Sequence, residues 1–153
     1  MGASLQVVGF NDKIKTVEQA RKDFSDRQEE DCYENGHSYS GGIGMLGRLN
    51  HISTVFNTDD EFQDFLMEKS KGDGYLAQVK VIRETKPLIF ARMKMNALWT
   101  AVGQAGRAGA TPAVLRRCQA QHIKALAKYN AIVIQQALKS TKTRFIAGGW
   151  CSS

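Results

Sequence analysis

Polar and apolar positions change their spacing several times along the chain, and each change marks an element. Ser4 to Phe10 is a β-branched run halted at Asn11-Asp12, which predicts a strand followed by a turn. Thr16 and Gln19 make a T-x-x-Q capping box, opening a helix expected to reach about Tyr33 and to close at Asn35-Gly36. The apolar stripe of that helix is thin, with Val17, Ala20 and Phe24, so only one edge should meet a core. His51 to Asn57 reads as a strand. Thr58 to Glu61 is a second capping box with acids in the first turn, where the helix dipole favours them, and Phe62, Phe65 and Leu66 form the buried edge. Gly72-Asp73-Gly74 ends this helix. Tyr75 to Glu84 is the clearest strand, with Tyr75, Ala77, Val79 and Val81 on one face.

Beyond Pro87 the period becomes 3.6, with Leu88, Ala91, Met95, Leu98, Trp99 and Val102 on one stripe. Gly103, Gly106 and Gly109 are expected to break this helix. Thr111 caps the next one with Pro112 at its first position, and it should run to about Lys139. Leu115, Cys118, His122, Ala125, Tyr129, Ile132 and Val133 face inward, while Arg117, Gln121, Lys124, Lys128 and Gln135 recur on the opposite face. Thr143 to Trp150 is expected as a short final strand or an extended tail. The pattern predicts an α+β fold: a small mixed or antiparallel sheet with a long C-terminal helical hairpin. No repeat or linker divides it, so residues 1–153 are expected to be one domain with an acidic part to 84 and a basic part from 85.

Composition narrows the class. With 42% apolar and 24% charged residues in 153, the chain can bury a core without disulfides or metal. Two prolines, and no apolar run of membrane-spanning length, exclude collagen-like, low-complexity and transmembrane readings. The three cysteines, Cys32, Cys118 and Cys151, include no CxxC pair and are expected as reduced thiols. The opening MGASLQVVGF lacks a basic region and a long apolar core, and Gln6 stands where myristoylation wants Ser or Thr, so a cytoplasmic location is expected.

Charge changes the picture most. The net charge of +6 conceals a division, for all fifteen Asp and Glu lie at or before Glu84, alongside ten of the twenty-one Lys and Arg. From Thr85 onward there are eleven cations and no carboxylate side chain. Solubility alone is better served by mixed signs, so a polyanionic partner is expected, and nucleic acid or a nucleotide is the commonest. The competing expectation is that the acidic half neutralises the basic half.

Candidate chemistry follows from the loops and the basic stripe. Gly41, Gly42, Gly44 and Gly47 would let backbone N–H groups cradle a phosphate if the segment curled into a nest, although the P-loop spacing is absent. His37, Tyr39, Ser40 and Arg48 would add donors there, and Arg117, Lys124 and Lys128 would supply charge from the last helix. Two histidines could serve acid–base chemistry on a phosphoester, but His37 and His51 do not form the paired H-x-[ST] elements of two-histidine phosphodiesterases. His122 is expected to be packed in the core. The acidic clusters 29–31 and 59–61 are adjacent in sequence and diverge around a helix, so no metal site and no cofactor are expected. Trp99 falls on the apolar stripe and is expected in the core, whereas Trp150 is less constrained. These residues support three readings: a phosphate-rich-ligand binder, an interaction protein docking an acidic partner or another copy of itself, and an enzyme on a nucleotidyl substrate using His37.

The charged helix from Ala20, followed by Tyr33, Gly36-His37, Tyr39-Ser40-Gly41 and Ile43, resembles the opening of small proteins carried by tailed phages and other prokaryotic genomes. The likeness covers about thirty residues. It departs from the usual pattern in the spacing of glycine and tyrosine and in having Gly42 where a threonine is usual. It implies a phage or prokaryotic origin, hence the host cytoplasm for a phage protein, and no particular activity.

Overall fold

The structure, a computed structural model, describes residues 2–35 and 42–152. In chain order they form β1 (Ala3–Gly9), α1 (Val17–Asn35), a short 3-10 turn (Ile43–Met45), β2 (Leu49–Phe56), α2 (Asp59–Met67), β3 (Gly74–Lys80), α3 (Lys86–Arg107), α4 (Pro112–Lys139) and β4 (Thr143–Ser152). The fold is α+β. Two compact units are present: a sheet unit, Met1–Val81 with Thr141–Ser153, and a hairpin unit, Ile82–Ser140. The boundary lies three residues before the charge division at Glu84, and β4 belongs with the acidic elements.

In the sheet unit the strand order is β1-β4-β3-β2. β4 runs antiparallel to both neighbours, while β2 and β3 are parallel, so the sheet is mixed. Neighbouring residues of a strand point to opposite faces, which sorts the core into two clusters. Phe145, Ala147 and Cys151 of β4 join Leu76 of β3 and Ala20 and Phe24 of α1 on one face. Ile146 joins Ala77 and Val79 of β3 and Phe62 and Leu66 of α2 on the other. The thin stripe of α1 is therefore sufficient, because Val17, Ala20 and Phe24 all meet the core.

The predicted capping box at α1 forms in full, and the one at α2 forms with its return bond shifted by one residue. The Gln19 N–H donates to Thr16 Oγ1 at 3.1 Å while Gln19 Oε1 accepts from the Thr16 N–H at 3.3 Å. At α2 the Glu61 N–H donates to Thr58 Oγ1 at 3.2 Å, and Glu61 Oε2 accepts from the Asn57 N–H at 2.9 Å.

Several expectations are corrected. Of the two forms expected from Thr143 the strand is the one found, but it runs on to Ser152 and lies in the interior of the sheet. β3 stops at Lys80, four residues before Glu84, because the chain leaves the sheet once the Val81 N–H has donated to the Lys142 carbonyl at 2.8 Å. Gly103 and Gly106 do not break α3, since a helix interior tolerates glycine at a cost of only about 1 kcal/mol. The stop comes at Gly109, whose φ of +71° is a left-handed conformation that glycine adopts without strain. Trp99 is not buried but 63% exposed, with one side of its ring against His122 at 5.0 Å. Trp150 is half-buried, and its indole N–H donates to the Leu66 carbonyl at 3.0 Å.

Candidate functional site

The hairpin unit is built from two helices with the same entry signal. Thr85 Oγ1 accepts from the Leu88 N–H and Thr111 Oγ1 from the Val114 N–H, both at 3.4 Å, with Pro87 and Pro112 in the respective first turns. Leu88 of α3 and Ala125 and Ala137 of α4 are the buried residues. The predicted inward stripe of α4, from Leu115 through Cys118, His122 and Tyr129 to Val133, is at least half-buried throughout.

Glu84 is the single carboxylate of this unit, and it is already engaged. Its two oxygens accept from Arg92 Nη1 and Nη2 at 3.0 and 2.7 Å. That hydrogen bonding holds the Glu84 carboxyl below its ordinary range and raises the Arg92 guanidinium further. Arg92 also lies 5.9 Å from the centre of the Tyr129 ring.

Between α3 and α4 runs a groove of about 740 Å³, a size typical of small-ligand sites. Pro87, Phe90, Ala91 and Leu98 of α3 and Ala125 and Ile132 of α4 provide its apolar lining. Lys94, Gln121, Lys124 and Lys128 provide the polar part. Among the described residues none of the three lysines has a carboxylate partner. Phe90 is 67% exposed, so a whole aromatic face is left in water beside these ammonium groups.

The predicted site residues separate. His37, Tyr39 and Ser40 lie outside the described residues. Arg48 is exposed in the sheet unit just before β2, whereas Arg117, Lys124 and Lys128 belong to α4. Lys124 and Lys128 line the groove together, and Arg117 shares their stripe without lining it.

The described part of the glycine segment does not form a phosphate nest. The Gly44 N–H donates to Asp31 Oδ2 at 3.0 Å and the Gly47 N–H to the Gly72 carbonyl at 2.8 Å, so both donors are used internally. A Cβ at Gly42 would fall 2.5 Å from the Asp31 carboxylate, which a phosphate would also meet. Gly42 and Gly44 serve close packing against the Asp31 and Cys32 side chains. A second cavity of about 480 Å³ beside them is bordered by Glu29 and Cys32 and likewise offers an anion no cation.

Three cations of the carboxylate-free stretch are neutralised. Lys142 Nζ lies 3.3 Å from Asp12 Oδ2, Arg144 Nη2 lies 3.0 Å from Asp59 Oδ2, and Arg92 pairs with Glu84. Each of these pairs lies within one unit.

Sequence reading missed Phe90 and Lys94. The available signal was the position of Phe90 about 200° around the helix from Leu88, on the face away from the inward stripe and one turn before Lys94. Among the described residues no cluster of His, Cys, Asp and Glu could hold a metal, and no helix is long and apolar enough to cross a membrane. No protein-family model, curated protein or solved structure matches the chain.

Proposed function

We propose that this protein is a binding protein for a phosphate-rich ligand, RNA, DNA or a nucleotide, and that the hairpin is its binding surface. The observation that carries the reading is the set of unpaired Lys94, Lys124 and Lys128 around one groove, on helices that hold no Asp or Glu. Phosphate contacts of this kind release counterions, so affinity should fall steeply with salt. The N-terminal resemblance supports placing this role in the cytoplasm of a prokaryotic cell or a phage-infected host.

The test is oligonucleotide binding by the full chain over a series of salt concentrations, with Lys124→Glu/Lys128→Glu beside it. Loss of binding in a variant with unchanged circular dichroism supports the proposal. Binding that is indifferent to salt and to both substitutions overturns it.

A second reading, an interaction protein whose hairpin docks a partner protein or another copy of itself, is favoured by one observation. Ile123, Ile134 and Leu138 of α4 are exposed, at 64%, 45% and 63%. Such a partner would leave a discrete complex after nuclease treatment, and size-exclusion chromatography at low and high salt would reveal it.

A further inference from the structure

We infer that the groove takes single-stranded nucleic acid in preference to duplex, with a base laid on the Phe90 ring and neighbouring phosphates held by Lys94, Lys124 and Lys128. This rests on the phosphate-binding reading and specifies its ligand. A surface built only for backbone charge needs cations and no apolar floor. Here most of the groove wall is carbon, from Pro87, Phe90, Leu98 and Ile132, and the ring of Phe90 is the largest exposed part of it. In a duplex the base faces are stacked on one another and cannot reach that ring. In a single strand they are free, and stacking on an aromatic beside Lys is the usual way such strands are held.

The cations fit the same geometry. Lys124 and Lys128 are one turn apart on α4, about 6 Å along the helix axis, which suits successive phosphates of an extended strand. Phe90 and Lys94 stand one turn apart on α3 across the groove, so one helix offers a stacking ring and a charge while the other offers a row of charge. Gln121 adds a neutral donor and acceptor for a base edge. Trp99 cannot take part: nine residues from Phe90, it lies about 180° around α3.

The experiment is fluorescence anisotropy of the full-length protein with a labelled short single-stranded DNA, the RNA of the same sequence, and the matching duplex, at several salt concentrations. The single strands are expected to bind more tightly than the duplex. Phe90→Ala should weaken single-strand binding by about tenfold, and Phe90→Trp should retain it. Trp99→Leu should leave it unchanged. Lys124→Gln/Lys128→Gln should flatten the salt slope for the single strand by about 1.4. Phe90 is mostly exposed, so circular dichroism of its variants should match the parent. Equal affinity for single strand and duplex, with Phe90→Ala silent, overturns this inference and leaves general phosphate binding standing. Failure of every oligonucleotide to bind overturns this inference, and failure of a panel of mononucleotides as well overturns the phosphate-binding reading too.

Discussion

The Trp150 indole N–H donates to the Leu66 carbonyl at 3.0 Å, tying the interior strand β4 to the last turn of α2. The Leu66 carbonyl also accepts from the Lys69 N–H at 3.0 Å, so the indole adds a second bond to it and gains a partner for its own half-buried N–H. Trp150→Phe keeps an aromatic ring and removes the donor. Urea unfolding should show a loss of about 1 kcal/mol, and Trp150→Ala should lose more because the ring goes too.

Gly148 and Gly149 precede that tryptophan where neighbouring backbone comes close. A Cβ on Gly149 would sit 2.3 Å from the Asp73 carbonyl oxygen, and one on Gly148 would sit 2.5 Å from that of Gln6. Main chain cannot yield as a flexible side chain does. Gly149→Ala should therefore destabilise by about 1–3 kcal/mol. Gly106→Ala is the counterpart: nothing lies within 4 Å, and α3 should gain up to about 1 kcal/mol. Thermal or urea unfolding of the two variants should move in opposite directions.

The three thiols should differ in reactivity. Cys151 is fully buried, and burial, aided by Asp31, pushes its thiol up to about 11, so its thiolate fraction at pH 8 is small. A thiol reagent at pH 8 should modify half-buried Cys32 and Cys118 first and reach Cys151 only on unfolding. Peptide mass mapping of the native protein with Cys151 modified as fast as the others would contradict this.

Cations already paired within the protein should contribute little to polyanion binding. Lys142→Gln and Arg144→Gln break partly exposed pairs with Asp12 and Asp59 and should each alter stability by less than about 1 kcal/mol. Their oligonucleotide affinity should stay near that of the parent, in contrast to Lys124→Gln. Titrations of the three variants side by side check the distinction.

The sequence foretold the elements better than their neighbours. Thr16, Thr58 and Thr111 act through local hydrogen bonds, so the starts of α1, α2 and α4 were readable from a few adjacent residues. The place of β4 was not. Residues 143–150 carry two glycines and one tryptophan, a poor strand pattern, and their pairing with β1 spans almost the whole chain, as in Ala3 with Ser152. What makes the glycines suitable is the close approach of Asp73 and Gln6, which no local pattern encodes. The same holds for the groove. Lys124 and Lys128 were legible as a stripe on one helix, but Phe90 acquires meaning only when α3 is laid beside α4.

The interior position of β4 also sets the sequence of events during synthesis. β1 touches the rest of the sheet only through β4, and β4 emerges from the ribosome after all of α3 and α4. The helical pair, whose contacts are local, can assemble early, while the first strand waits with an unmatched edge for a partner some 140 residues downstream. That interval is when a nascent chain of this design is most exposed to pairing with the wrong strand, and a chaperone that shields residues 3–9 would act there.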